Sequence, residues 1–350
     1  MAKELDKYEQ SSFLIIKVTY MYYLSGRSQR RIAKDLGISV TTVSRLLKKG
    51  REKNIIEFVI RDPYVECLKL EKDLKKIFGL TDVVIAPAVD GQIIGEESLN
   101  DPGDGEVVKK LVALEAARYL QRIITKDDVL GITWGSTIYH MINYLNPAQR
   151  IPATFVTLHG SLSYYVNGWD VRVLIRRIAK AFSGKNYSLP TNAMVSSPVL
   201  AKLLREEKNV AKVYEMFDKI NISIAGMGSL YPELNSILSK PDYLSPDDLK
   251  QLQRQHVVGD IALHFFDTEG RECRTDLIDR TLSMDFDAFK NIKQKITVAS
   301  GVEKAYTAYS ALKGGLIDTL IVDNQLAEKI LELHHREKDL RKNVYTKFDQ

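Results

Sequence analysis

The sequence predicts an α/β protein in two parts, with an N-terminal helix-turn-helix domain over residues 1–62 and a doubly wound sheet behind it. Two observations predict this class. Beyond residue 83, short buried apolar runs alternate with helix-length segments, the order typical of a parallel sheet covered by helices. The charge is also uneven: residues 1–62 hold 13 Lys and Arg against 7 Asp and Glu, whereas the other 288 hold 37 against 38. A basic first segment indicates a polyanionic partner.

The composition excludes several other classes of protein. The 350 residues have the apolar and charged fractions of a globular protein and a net charge of +5. Cys67 and Cys273 can form no disulfide framework and lack the spacing of metal ligands, so we expect reduced thiols, no metal and no cofactor. The N-terminus has no signal-peptide pattern, and no apolar stretch approaches the ~20 residues of a membrane span. We therefore expect a cytoplasmic protein without membrane contact.

Three helices are predicted in the first domain. Apolar residues recur at helical spacing over residues 12–23. A second helix begins after Ser28 and a third, ending near residue 53, begins after Ser39, because serine side chains cap helix N-termini well. Gly37 lies between these two helices and can adopt the left-handed conformation that a tight turn requires.

The spacing of these helices predicts that the third one reads DNA. Ala33 is small where the two helices cross, and the outward face of the third helix carries short polar groups first and basic groups further along. Such a face suits base edges and phosphates respectively. The residues predicted to contact operator DNA are Ser28, Gln29, Ser39, Val40, Thr41, Thr42, Ser44, Arg45 and Lys48. The alternative is an ordinary αα corner with a solvated basic face.

The rest of the chain is predicted to form a ligand-binding domain. A strand over residues 54–60 would give the first domain a wing, and a linker, residues 63–82, contains an amphipathic helix over 64–78. The domain itself spans residues 83–334, and a charged, solvated tail follows over 335–350. Its strands are predicted at residues 83–85, 129–132, 155–158, 220–224, 261–266, 296–299 and 320–322, and its helices at 106–124, 137–145, 171–183, 198–207, 304–313 and 324–334.

Glycine-rich or small polar loops follow three of these strands. They span residues 133–137, 226–228 and 300–304. Ligands of doubly wound sheets bind outside the carboxyl ends of the strands, and free N–H groups at a helix start attract anions. Ser136 and Thr137 add hydroxyl groups and Lys304 adds a cation. The three loops together predict a site for an anionic ligand.

The sequence resembles the SorC family of bacterial sugar-operon regulators over residues 12–331. The matching segments are residues 24–33, 42–47, 131–137, 258–261, 265–267, 298–305, 311–317 and 320–323. The family's ligand-binding domain is similar to sugar-phosphate isomerases and deaminases of the ribose-5-phosphate isomerase and glucosamine-6-phosphate deaminase type. The resemblance implies a phosphorylated sugar as effector and a homo-oligomer, usually a tetramer.

The resemblance also implies roles for single residues. Gly135, Ser136 and Thr137 would hold the phosphate, Lys304 would neutralise it, Asp260 would accept hydrogen bonds from sugar hydroxyls, and Pro190 would line the pocket. Three positions depart from the family pattern: Val40 stands where arginine is common, and Ser300 and Leu263 replace frequent glycines.

Two other functions compete with this interpretation. The sheet domain could be an active isomerase or deaminase, with His159 and Asp267 near strand ends as candidate acid–base groups. No paired acid–base motif is present, so we expect no catalytic residue. The second alternative is an architectural DNA-binding protein with a vestigial pocket.

Overall fold

The computed structural model describes residues 13–53, 55–56, 64–87, 104–162 and 168–345. The chain divides into two compact units, residues 1–62 and 63–350, called here the N-terminal and C-terminal units.

The N-terminal unit contains the predicted helix-turn-helix. Its first helix, α1, covers residues 13–19 and continues as a π-turn, Tyr20–Leu24; α2 is Gln29–Leu36 and α3 is Val40–Glu52. Ser28 and Ser39 cap α2 and α3 by accepting N–H bonds three residues ahead, and Gly37 is left-handed with φ 64°. Residues that the helical periodicity placed inside are buried in one cluster: Ile15, Val18, Met21, Ile32, Ala33, Val43, Leu46 and Leu47.

The predicted wing strand lies almost wholly outside the described residues. Ile55 and Ile56, the two described members of the predicted strand 54–60, form a bend.

The C-terminal unit is built on the predicted parallel sheet. Among the described residues, seven parallel strands lie in the order β1-β10-β9-β5-β2-β3-β4. Their bounds are β1 Asp82–Ala86, β2 Val129–Ile132, β3 Thr154–Thr157, β4 Lys185–Tyr187, β5 Ile222–Ala225, β9 Gln294–Val298 and β10 Thr319–Asp323. The helices are α4 Tyr64–Phe78, α5 Asp104–Ile123, α6 Ser136–Asn143, α7 Val171–Phe182, α8 Pro198–Glu206, α9 Lys208–Phe217, α10 Pro246–Arg254, α11 Asp276–Asp279, α12 Phe286–Lys290, α13 Ala305–Lys313 and α14 Asn324–Tyr345.

Both faces of the sheet are buried, as the continuous apolar strands predict. Along β10, Leu320 and Val322 pack into one core cluster with α4, α9, α13 and α14. Ile321 points the other way, into a second cluster with α5, α6 and α7. The α/β class predicted from the sequence is therefore confirmed.

The prediction of a single strand over residues 261–266 is wrong. The chain reverses there and forms a hairpin, β7 Gly259–Ile261 and β8 His264–Phe266, which joins β6 Gly228–Ser229 in a separate antiparallel sheet. Ala262 and Leu263 make the turn with φ of 55° and 68°. Two-residue turns with positive φ favour glycine and asparagine, so this apolar turn gave no recognisable signal.

The C-terminal boundary predicted at residue 334/335 falls inside α14. The helix continues beyond it, and Glu337 accepts hydrogen bonds from Tyr309 Oη at 2.6 Å and Lys313 Nζ at 3.2 Å. Residue 337 of the predicted solvated tail is thus bound to α13.

The linker helix α4 packs on the C-terminal unit. Cys67, Leu70 and Leu74 are buried in the same cluster as α13 and α14. The Glu71 carboxylate accepts the Ile85 N–H of β1 at 2.9 Å. The element that follows the N-terminal unit in the chain is therefore fixed to the sheet.

Candidate effector site and DNA-binding surface

A cavity of about 810 Å³ lies at the carboxyl ends of β2, β5, β9 and β10 and is closed on one side by the β7–β8 hairpin. Volumes of this order suit small-molecule ligands. Five of the six residues predicted to bind the effector line it: Gly135, Ser136, Thr137, Asp260 and Lys304. The first three and Lys304 come together because parallel strands end at the same edge of a sheet, whereas Asp260 reaches the cavity from β7 of the antiparallel sheet.

The first wall of the cavity is the start of α6. Gly135 precedes the helix with φ 131°, a conformation that favours glycine. The first-turn N–H groups of a helix have no partner within it and carry its positive dipole end. Ser136 and Thr137 lie in this turn and line the cavity. The wall is therefore suited to an anion.

The buried side chain of His159 holds this loop in place. Its Nδ1 donates to the Gly160 carbonyl at 2.7 Å, which leaves Nε2 to accept the Trp134 N–H at 3.2 Å. Burial lowers the pKa of His159 to about 4. The ring is neutral at pH 7 with both nitrogens engaged by backbone.

The second wall is the loop after β9. Gly301 N–H donates to Asp323 Oδ2 at 2.9 Å, and the other oxygen of Asp323 accepts the Leu326 N–H at the start of α14. Lys304 follows on the same turn and makes no ion pair with any described residue. Burial lowers the pKa of Lys304, although Glu303 and Asp323 oppose this effect.

The third wall carries a buried carboxylate. Asp260 is 5% exposed, and its Oδ1 has no hydrogen-bond partner in the described part of the chain. Burial raises the pKa of Asp260 to about 7. Gly228 is required beside it, since a Cβ there would lie 2.3 Å from Oδ1. An unpaired buried oxygen that lines a cavity is costly unless a ligand pairs with it.

We expect Asp260→Asn to remove a pH dependence of stability. The raised pKa means that the folded state keeps this proton after the unfolded chain has lost it, so the parent loses stability as pH rises from about 4 through about 7. The loss is on the order of 4 kcal/mol at most. Urea unfolding of both proteins at pH 5 and pH 8 measures it, and the variant should be the more stable of the two at pH 8. Parallel pH profiles would contradict the assignment.

The prediction that Pro190 lines the pocket is wrong. It is exposed and does not border the cavity. Its neighbour Leu189 is fully buried and donates its N–H to Thr157 Oγ1 at 3.0 Å, which fixes the loop with the proline outward.

Several cavity residues were missed by the sequence analysis. They are polar side chains on α5, on β6 and the segment that follows it, and on α14: Glu106, Lys109, Ser229, Asn235, Ser236 and Gln325. The sequence pattern that indicated the site was a glycine-rich or small polar loop after a parallel strand. None of these six residues lies within such a loop.

The outward face of α3 is exposed as predicted. Val40, Thr41, Ser44, Arg45 and Lys48 are all solvent-exposed, and Arg45 has no ion-pair partner among the described residues. The remaining predicted contacts, Thr42 and Gln29, are partly exposed, and Ser28 and Ser39 are exposed caps.

The hydroxyl of Ser39 is already engaged. It lies 2.7 Å from Thr41 Oγ1 and 2.8 Å from Thr42 Oγ1 and accepts the Thr42 N–H. It therefore shapes the first turn of α3. On α2, by contrast, Arg31 is paired with Asp35 at 3.1 Å, so Arg45 is the less constrained cation.

Within the described ranges, no helix is both long and apolar enough to cross a membrane. The same residues contain no group of three or more His, Cys, Asp or Glu side chains arranged to hold a metal ion.

Both units of the chain match known protein families. The family described as "Putative sugar-binding domain" matches residues 62–332, and Sigma-70, region 4 matches residues 19–53. The chain is 27% identical over 321 residues to the sorbitol operon regulator of Klebsiella pneumoniae, covering 91% of this chain and 98% of that one. It is 27% identical over 330 residues to the deoxyribonucleoside regulator of Bacillus subtilis (strain 168), covering 93% and 99%.

A solved structure extends the comparison to three dimensions. The full-length sorbitol operon regulator SorC from Klebsiella pneumoniae matches with a TM-score of 0.68 at 26% identity, over 90% of this chain and 97% of that one. A helix-turn-helix joined to a sugar-binding domain defines a class of transcriptional regulator. The chain belongs to this sugar-binding domain family, and its resemblance to the SorC family is confirmed.

Proposed function

We propose that this protein binds operator DNA through α3 and changes its DNA affinity when a phosphorylated sugar occupies the cavity. The observation that carries the proposal is the composition of that cavity. It combines the first turn of a helix, a lysine and a buried carboxylate oxygen, and among the described residues this lysine has no ion-pair partner and this oxygen no hydrogen-bond donor. A phosphate group and a sugar hydroxyl are the complements of these three features.

The proposed binding mode assigns each end of the ligand. The phosphate lies against Gly135, Ser136 and Thr137 and is neutralised by Lys304. Asp260 accepts a hydrogen bond from a sugar hydroxyl, which gives its buried Oδ1 a partner. We further propose that the regulator acts as a homo-oligomer, a tetramer in line with the family resemblance.

Binding without turnover is the favoured mechanism. Of the two candidate acid–base groups, His159 has both ring nitrogens engaged by backbone groups. Asp267 accepts hydrogen bonds from Glu269 N, Arg271 N and Arg271 Nε, and these help to hold its pKa low despite partial burial. Neither group is placed to exchange a proton with a ligand, and the relatives named above are regulators.

A ligand changes DNA affinity only if it binds two arrangements of the protein differently. The C-terminal unit offers a contact path for such a difference. α13 begins beside Lys304 at the cavity. Further along it, Tyr309 packs against Phe78, the last residue of α4, with ring centroids 6.0 Å apart. His334 of α14 contacts the same phenyl ring at 5.5 Å.

We expect Phe78→Ala to uncouple the two functions. The variant should bind effector within about threefold of the parent, because Phe78 does not line the cavity. Its operator affinity should respond to effector at least about tenfold less, because the aromatic contact between α4 and α13 is lost. Calorimetry measures the first quantity and an operator gel shift the second. Phe286→Ala, which removes a phenyl ring from α12, is the control. A full effector response in Phe78→Ala would contradict the path.

A two-stage experiment tests the proposed function. A thermal-shift screen of sugar phosphates identifies ligands of the folded protein, and an operator gel shift with each hit measures the change in DNA affinity. The names of the two relatives recommend sorbitol phosphates and deoxyribose phosphates for the screen. A hit that is converted to product would support the enzyme instead. A protein that binds operator but no sugar phosphate would support the architectural alternative.

A further inference from the structure

A third charged element borders the cavity, and the proposed binding mode does not use it. Glu106 and Lys109 lie in the first turns of α5, and both line the cavity together with Lys304. Lys109 Nζ lies 2.8 Å from Glu106 Oε2, and His140 Nε2 lies 2.7 Å from Glu106 Oε1. The Glu106 carboxylate therefore contacts two partners, one through each of its oxygens.

The ion pair differs from an ordinary surface pair in its position. Lys109 is 25% and Glu106 43% exposed, so both are partly withdrawn from bulk water. The hydrogen bond from Lys109 holds the pKa of Glu106 below its usual range, and the carboxylate is ionised at pH 7. While Lys109 remains paired with Glu106, its positive charge is largely neutralised, so any phosphate that enters must compete with this carboxylate for the lysine.

The two lysines also act on one another. After burial, the Lys109 ammonium is the other factor that lowers the pKa of Lys304. Two ammonium groups that border the same cavity repel each other. A dianion placed between them removes this repulsion and is attracted by both.

We propose that Lys109 is a second phosphate-binding residue of this cavity, exchanging its contact with Glu106 for the effector phosphate while His140 keeps the Glu106 carboxylate in place. Glu106 thus acts as an internal anion with which the effector competes. This inference rests on the proposed function, because it concerns the same ligand. The inference predicts that the Glu106 carboxylate weakens the affinity of the cavity for phosphate. An ion pair with a purely structural role would leave that affinity unchanged.

The test measures binding of inorganic phosphate to the full chain by calorimetry and by the fluorescence of Trp134, which lines the cavity. Lys109→Gln should weaken phosphate binding about tenfold or more, because one of two charge-assisted contacts is lost. Glu106→Gln should strengthen it severalfold, because the competing charge is gone and the lysine is released. Lys110→Gln is the matched control: Lys110 is the exposed neighbour on the same helix and does not line the cavity.

The outcomes separate this inference from the proposed function. If the parent binds phosphate and Lys304→Met abolishes the binding, the phosphate site of the proposed function stands. The inference is then overturned if Lys109→Gln keeps the parental affinity or if Glu106→Gln fails to increase it. If the parent binds neither phosphate nor any sugar phosphate, both ideas fail together. Circular dichroism of each variant confirms that a lost affinity does not reflect a lost fold.

Discussion

Lys304→Met is expected to abolish the response to effector while leaving operator binding at the parental level. Lys304 borders the cavity and has no other described ion-pair partner, so its charge is available to the ligand. Removing one member of a largely desolvated charge pair typically costs 2–5 kcal/mol or more. The affinity for a sugar phosphate should therefore fall on the order of 100-fold. Effector titrations of an operator gel shift measure the response, and calorimetry measures the affinity.

Methionine keeps the length of the side chain, so the change tests charge more than packing. Lys110→Met, on the exposed face of α5, removes the same charge away from the cavity and should behave as the parent does. The Lys304→Met variant could still release operator at the effector concentration that the parent requires. In that case the phosphate does not lie beside this residue and the proposed orientation of the ligand is wrong.

Arg45→Ala is expected to cause the largest loss of operator affinity among single changes in the N-terminal unit. The guanidinium lies on the exposed face of α3 and is not tied to a carboxylate among the described residues. An arginine contact to a base edge is worth about 1–3 kcal/mol, and the homo-oligomer proposed above would lose it at every half-site. We expect operator binding at least about 100-fold weaker, measured by gel shift at fixed salt.

Two further variants separate sequence-specific recognition of the operator from non-specific binding to DNA. Arg45→Lys keeps the charge but loses the planar, two-pronged donor, so it should retain non-specific affinity and lose discrimination between operator and random DNA. Lys180→Ala removes an exposed cation from α7 of the C-terminal unit and should change neither quantity. Parental operator affinity in Arg45→Ala would show that α3 does not read the operator as proposed.

Local patterns predicted most of the fold. The helix-turn-helix follows from three short-range features: helical spacing of apolar residues, serine caps and Gly37, and each acts within a few residues. The parallel sheet follows from alternating strands and helices. Once that sheet was predicted, its topology also placed Gly135 and Lys304 at one edge, although they are far apart in sequence.

The features that were not predicted depend on long-range packing. The turn at Ala262–Leu263 lies within a mostly apolar run, and its burial, together with a hydrogen bond from the Leu263 N–H to the Asp260 side chain, compensates for two positive φ angles. Glu106 and Lys109 lie on an amphipathic helix that resembles any other, and the way α5 packs on the sheet determines that they border the cavity. Long-range packing also explains the position of Pro190. The family resemblance placed it in the pocket, but the buried neighbour Leu189 fixes the loop with the proline outward.

The pairing of β1 with β10 has a consequence for the order of folding. Asp82 at the start of the first strand lies beside Thr319, near the end of the chain, and β1 sits at the edge of the sheet with β10 as its described neighbour. During synthesis, β1 therefore pairs with β10 only after β10 has emerged from the ribosome, whereas α1–α3 bury a core cluster of their own and fold earlier. A nascent chain that stalls before residue 319 therefore carries a complete helix-turn-helix and a parallel sheet that lacks β10.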